Sequence, residues 1–159
     1  MKVIGIDPGL SVTGFGMLIQ HKNEIRSICY GTIRPPAKES LAIRLKYLHD
    51  EILKIMNTYQ PDELAIEDTF YQKNVKSAIA LGQARGTLLV AGANFGIQCA
   101  EYAPRKVKKS VVGNGAATKE QVQYMVQRIL NLTEVPKPLD ASDALAVGIC
   151  HLNQPGLIS

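Results

Sequence analysis

Four carboxylates stand at positions from which a fold could gather them. Asp7 closes the apolar run Val3-Ile4-Gly5-Ile6, and Glu67 closes the run Leu64-Ala65-Ile66. Asp140 and Asp143 lie three residues apart in a stretch of helical apolar spacing, so both side chains can point the same way. Hard divalent cations collect carboxylate oxygens from separate elements. Two such ions about 4 Å apart can activate a water and stabilise the leaving oxygen in phosphodiester hydrolysis. Each acid also has an ordinary explanation. Asp7-Pro8-Gly9 is turn chemistry, Glu67 can be solvated at a strand end, Asp140 can cap a helix, and Asp143 gains from the helix dipole. The metal reading therefore holds only if all four converge.

The elements that must position them read as follows. Val3, Ile4 and Ile6 form a strand buried on both faces, since apolar residues continue without polar alternation. Pro8 biases Asp7 toward extended angles, and Pro8-Gly9 suits a type II turn with φ > 0 at Gly9. A second strand spans Val12 to Ile19, and a third spans Glu24 to Arg34 with Ile25, Cys29 and Ile33 on one face. The short His21-Lys22-Asn23 connection makes these an antiparallel meander. Gly14 and Gly16 weaken the second strand and let something approach its backbone. Ser40 caps a helix carrying Leu41, Leu45, Leu48, Ile52 and Ile55 inward, and Pro61 stops it.

Glu63–Glu67 is a fourth strand, whose alternation puts Glu67 and Asp68 on opposite faces. A long helix follows from about Asn74 to Gly92. Its Ala78, Gly82 and Gly86 form a narrow ridge that calls for close packing against the sheet or a second subunit. Ile97–Tyr102 is a fifth strand. After a basic stretch and the Gly113-Asn114-Gly115 loop, Thr118-Lys119-Glu120-Gln121 matches a capping box opening a helix with Val122, Met125, Ile129 and Leu130 inward. A last helix starts near Asp140 and carries Ala144, Leu145, Gly148 and Leu152. The order βββ-α-β-α-β-α-α predicts one α/β domain over residues 1–159. Its mixed five-stranded sheet joins an antiparallel meander to parallel strands, with helices on both faces.

The 159 residues are 46% hydrophobic and 20% charged, as in a globular domain with a sizeable core. No apolar run is long enough for a transmembrane helix, and no signal-peptide pattern precedes the first strand. Cys29, Cys99 and Cys150 lie far apart, which points to reduced thiols and a cytoplasmic protein. His21, His49 and His151 share no metal-ligand spacing and read as surface or helix-end residues. The net charge is +4, unevenly spread. Between Asp68 and Glu120 the one acid, Glu101, stands against Lys73, Lys76, Arg85, Arg105, Lys106, Lys108, Lys109 and Lys119. Such asymmetry marks a phosphate-binding face.

The stretches Ile4-Gly5-Ile6-Asp7-Pro8-Gly9, Ala65-Ile66-Glu67, Ala80 to Gly86, Val107 to Gly113 and Asp140 to Ala146 resemble, in order and in register, the RuvC family of bacterial Holliday-junction resolvases. The resemblance runs from Met1 to about His151. It implies an RNase H-like fold, a homodimer, and symmetric nicking of strands of like polarity at a four-way DNA junction in recombination and repair. It further implies ligatable 5′-phosphate and 3′-hydroxyl ends, two Mg²⁺ ions per site with Mn²⁺ able to substitute, and branch-migration partners RuvA and RuvB.

Asp7, Glu67, Asp140 and Asp143 fall on the family's four acidic catalytic and metal-binding positions. Some members carry histidine where this chain has Asp140, so the site here is all-oxygen. Phe70 falls where the family stacks an aromatic on bases near the crossover, with Tyr71 beside it. Lys108 and Lys119 match lysines used near the scissile phosphate, and Lys119 also stands at a helix N-terminus, which favours anions. Lys73, Lys76, Arg85 and Lys109 complete the expected DNA-binding set. An RNase H-like nuclease acting on structured or precursor RNA is the alternative. A sugar kinase-like protein would need a nucleotide-binding glycine loop that is missing, and a junction binder without catalysis would leave four acids unused.

Overall fold

Strand β1 (Lys2–Asp7) lies at the centre of the molecule because its apolar run can be covered on both sides. The computed structural model describes residues 1–69 and 73–156. β1 pairs antiparallel with β2 (Thr13–His21), which pairs antiparallel with β3 (Glu24–Ile33). On its other side β1 pairs in parallel with β4 (Glu63–Glu67), and β4 with β5 (Gln98–Tyr102). The sheet order is β3-β2-β1-β4-β5, the mixed sheet the sequence predicts. Asp7 and Glu67 thus end adjacent strands that run the same way.

Helices cover both faces. α1 (Leu41–Tyr59) and α2 (Val75–Phe95) enclose one core around Ile4, Ile6, Met17, Leu64 and Ile66. α3 (Pro104–Val112), α4 (Lys119–Ile129) and α5 (Leu139–Leu152) enclose the other around Val3, Leu18, Ala65 and Tyr102. The caps lie where their sequences place them. Ser40 accepts from the Ile43 amide and Asn74 from the Ser77 amide, while Thr118 and Gln121 close a reciprocal capping box.

Several expectations are corrected. The order is βββ-α-β-α-β-α-α-α, because the basic stretch after β5 is itself a helix, α3. Pro104 starts it at a position needing no amide donor, and Gly113 ends it with φ of 87°. On α1 the inward face is Leu48, Ile52 and Met56 with Ile55 packed beside them, whereas Leu41 stays exposed; on α4 the expected Val122, Met125, Ile129 and Leu130 do pack inward, joined by Val126. Ile25 does not share a face with Cys29 and Ile33. A register shift opposite Met17 and Leu18 turns the strand, so Ile25 packs toward α5 and the other two toward α1.

Candidate active site

Asp7 is oriented by its neighbours on both sides in the chain. Gly9 does not take the positive φ of a type II turn; positive values among the described glycines fall at Gly96, Gly113 and Gly156. Glycine is required at position 9 for room, since a Cβ there would lie 2.3 Å from the Val12 carbonyl oxygen. The loop is closed by Thr13, whose hydroxyl donates to the Gly9 carbonyl at 2.7 Å and accepts from the Gly9 amide at 3.1 Å. This buried threonine was not singled out from sequence. Its signal was a polar residue, four after a glycine, inside an apolar strand.

The second pair of acids arrives on α5, which lies across β1 and β2. Gly14, the register partner of Asp7, would place a Cβ 1.9 Å from the Asp140 carbonyl oxygen. A Cβ on Gly5 would meet the Ala144 carbonyl at 2.2 Å, and one on Gly16 would meet the Leu145 side chain at 2.5 Å. Three glycines on two strands therefore let the backbone of α5 descend onto the sheet. This is the close approach that the glycines of the second strand predict. Asp140 is not the helix cap, because Pro138 occupies that place and Asp140 lies within the first turn. The capping explanation for Asp140 is thereby removed.

The four acids sense one another. Burial is the main cause that pushes the Asp7 carboxyl up to about 9, reinforced by the charge of Glu67, a hydrogen bond with it, and the charges of Asp143 and Asp140. Burial likewise pushes Asp143 up to about 6, against the pull of Lys119 and Lys108. A cavity of about 290 Å³ is lined by Asp7, Glu67, Asp143, Lys108 and Lys119, floored by Val107, Val122 and Ala146. Asp140 borders an adjoining cleft that also reaches Asp7. As the side chains stand, no three of the described acids, histidines or cysteines are drawn together tightly enough to ligate one ion. The donor set is nonetheless all carboxylate oxygen, and the charges of three neighbouring acids add to burial in raising Asp7. Both features fit hard divalent cations.

The basic residues divide. Lys119 opens α4 and Lys108 projects from α3, and both border the cavity. Lys109 is exposed on α3 away from that lining, and Lys73 and Lys76 are exposed at the start of α2. Arg85 departs from expectation. Its side chain is 22% exposed and its guanidinium pairs with Asp68 at 3.1 Å and with Glu101, so it is engaged by the protein's own acids rather than free for a phosphate. Phe70 and Tyr71 lie outside the described residues.

His151 lies in the last turn of α5, the helix-end place expected of it, but not at the surface. It is 2% exposed, with the Tyr102 hydroxyl 2.7 Å from Nδ1 and Glu63 Oε2 2.7 Å from Nε2. The three side chains form a polar chain across β5, α5 and β4 that is buried at Tyr102 and His151, and the Tyr102 phenol is pushed up to about 12, chiefly by burial. Of the cysteines, Cys150 is buried while Cys29 and Cys99 are half-buried, all three as free thiols. No described helix is long and apolar enough to cross a membrane.

A family model described as RuvC, crossover junction endodeoxyribonuclease RuvC, matches residues 3–151. The crossover junction endodeoxyribonuclease RuvC of Halothermothrix orenii is 47% identical over 153 residues, covering 96% of this chain and 93% of that protein. Its counterpart in Syntrophomonas wolfei is 47% identical over 159 residues, covering 100% and 92%. Among solved structures, Thermus thermophilus RuvC in complex with Holliday junction substrate superposes with a TM-score of 0.89 at 32% identity, covering 95% of this chain and 92% of that one.

Proposed function

The chain belongs to the RuvC family of crossover junction endodeoxyribonucleases, and from that premise we propose that it resolves four-way DNA junctions by symmetric, divalent-cation-dependent nicking. The observation that carries the proposal is the half-buried Asp7 carboxyl, which shares a cavity with Glu67, Asp143 and two lysines and an adjoining cleft with Asp140. Asp7, Glu67, Asp140 and Asp143 would hold the cations, with Mg²⁺ the natural ion for an all-carboxylate set and Mn²⁺ a substitute. When bound, such ions lower the pKa of a water and offset charge on phosphoryl oxygens.

The chain's own residues supply the rest. Lys119 adds a cation to the amide-rich N-terminus of α4, which already favours a phosphate. Lys108 faces it from α3, so charge building on phosphorus meets fixed positive groups from two sides. Asp143, under the pull of Lys119, stays more readily ionised than Asp7. Family membership extends the proposal to hydrolysis that leaves 5′-phosphate and 3′-hydroxyl ends. Lys73, Lys76 and Lys109 are proposed to follow the DNA backbone, and Phe70, three residues past Glu67, to stack on a base near the crossover.

A homodimer is proposed from α2. Val75, Ile79, Gly82, Gly86 and Val90 succeed one another at helical steps, and Val75, Ile79 and Val90 are 75, 56 and 54% exposed. A second copy seated there would present two equivalent sites to the two equivalent strands of a junction. Family membership extends the proposal to RuvA and RuvB as partners.

The test is to incubate the protein with a synthetic four-way junction, duplex DNA and structured RNA, each with Mg²⁺ or EDTA, and to map nicks on every strand. Paired nicks on opposite strands of the junction alone, abolished by EDTA, are expected. Preferential cleavage of the RNA would overturn the proposal in favour of an RNA nuclease.

A further inference from the structure

Among the described residues, Arg85 is the one cation of the basic segment in an ion pair with acids, one of them next to Glu67. It rises from the middle of α2 and contacts Asp68, one residue beyond Glu67, and Glu101 on β5. The Asp68 amide donates to the Tyr102 carbonyl at 2.7 Å, so the backbone leaving β4 is held to β5 while its carboxylate is held to α2. The contact with Asp68 is ionic rather than an aligned hydrogen bond, since neither Arg85 Nε nor Asp68 Oδ1 has a hydrogen-bond partner among the described residues. Asp68 is 17% exposed, little enough that water alone would leave its charge poorly compensated.

Resting on the reading of the four acids as the cation site, we propose that Arg85 is a positioning residue that holds Asp68 away from the carboxylate cluster and so fixes the strand end on which Glu67 stands. Successive residues on a strand face opposite ways, and the guanidinium enforces that division at the point where the ladder ends. Without it, a fifth carboxylate would stand free one residue from a cation ligand. The cluster would bind cations more tightly but in the wrong arrangement. The fork geometry of arginine, able to serve two carboxylates at once, suits this role better than lysine would.

The proposal is tested with Arg85→Met, Asp68→Asn and the double variant. Junction binding is measured in EDTA over a salt series, cleavage of prebound junction at saturating Mg²⁺, and melting without DNA as Mg²⁺ is added. Arg85→Met should bind the junction within about twofold of the parent protein, with the same salt slope. It should cleave about tenfold more slowly and reach half of its Mg²⁺-induced melting shift at a concentration about threefold lower. Asp68→Asn alone should change each quantity by less than about threefold, and the double variant should return cleavage and the Mg²⁺ midpoint toward the parent values.

Weaker junction binding with a salt slope reduced by about one, and unchanged cleavage of bound junction, would make Arg85 a phosphate contact and overturn the proposal. A double variant as slow as Arg85→Met would also overturn it. Should Arg85→Met fail to fold, Arg85→Lys, which keeps the charge without the fork, must show both changes in weaker form, and no change in either overturns the proposal. If the parent protein cleaves no junction, the functional reading fails, and the Mg²⁺ midpoints still decide the role of Arg85.

Discussion

Two helices of this chain meet glycines, and along one of them two glycines have open space beside them. Beneath α5, a Cβ on Gly5, Gly14 or Gly16 would collide with backbone or side-chain atoms of the helix, and one on Gly148 would lie 2.6 Å from Leu18. Along α2 the buried Gly92 is filled in the same way, by Cys99 and Leu64. Gly82 and Gly86 are not: a Cβ at either has nothing within 4 Å among the described residues. A mid-helix glycine costs roughly 1 kcal/mol against alanine, which packing normally offsets. The offset for Gly5 and Gly14 is visible and it is the site, because these residues bring Asp140 and Asp143 down to Asp7. For Gly82 and Gly86 the described residues do not supply it, which is where the proposed second copy of the chain would.

The comparison breaks most severely at Gly14. Gly14→Ala should destabilise the protein by about 3 kcal/mol, the upper range for overpacking, because the obstacle is the Asp140 backbone rather than a movable side chain. Thermal melting and loss of junction cleavage would show it. If Gly14→Ala melts like the parent protein, α5 is not held down as described. Next in size is Gly82→Leu, which should leave melting of the monomer nearly unchanged while shifting sedimentation from dimer to monomer. An unaltered dimer would place the second copy elsewhere. The smallest effect is Gly86→Ala in dilute, monomeric protein, where relief of the helix cost should stabilise by at most about 1 kcal/mol. A loss of stability there would mean that the chain fills this space after all.

The electrostatic side of the same comparison is a pH dependence. Asp7 is raised from 3.8 to about 9, so the folded chain keeps a proton that the unfolded chain has released. Stability of the metal-free protein should therefore fall as pH rises between those values, and Asp143, raised to about 6, adds the same sign over the lower part of that range. Asp7→Asn should flatten the slope. Chemical denaturation in EDTA from pH 5 to pH 9 checks this, and a slope unchanged by Asp7→Asn would separate that residue from the cluster.

What the sequence revealed and what it hid follow from the range of the interactions. The strands ending at Asp7 and Glu67 were legible because an apolar run closed by an acid is a local pattern. The caps at Ser40, Asn74 and Thr118 are local too. Helix α3 was overlooked although Pro104 and Gly113 bracket it, because its charged residues outweighed the pair Val107 and Val111, its buried apolar contacts. The burial of His151 depends on Tyr102 and Glu63, 49 and 88 residues away, and nothing near position 151 announces them. Arg85 was read as part of a cationic face because Asp68 and Glu101 reach it only through the packing of α2 on β4 and β5. The shift that moves Ile25 to the opposite face from Ile33 is set by pairing with β2, which period-two reasoning on β3 alone does not contain.

The central claim is that α5 is brought onto β1 so that acids from three elements share cations. Calorimetric titration of the protein with Mn²⁺, compared with Asp7→Asn and Asp143→Asn, tests it most directly. The account predicts saturable binding by the parent protein and its loss, or weakening by about tenfold or more, in both variants. Equal binding by all three proteins, or none by the parent, would contradict it.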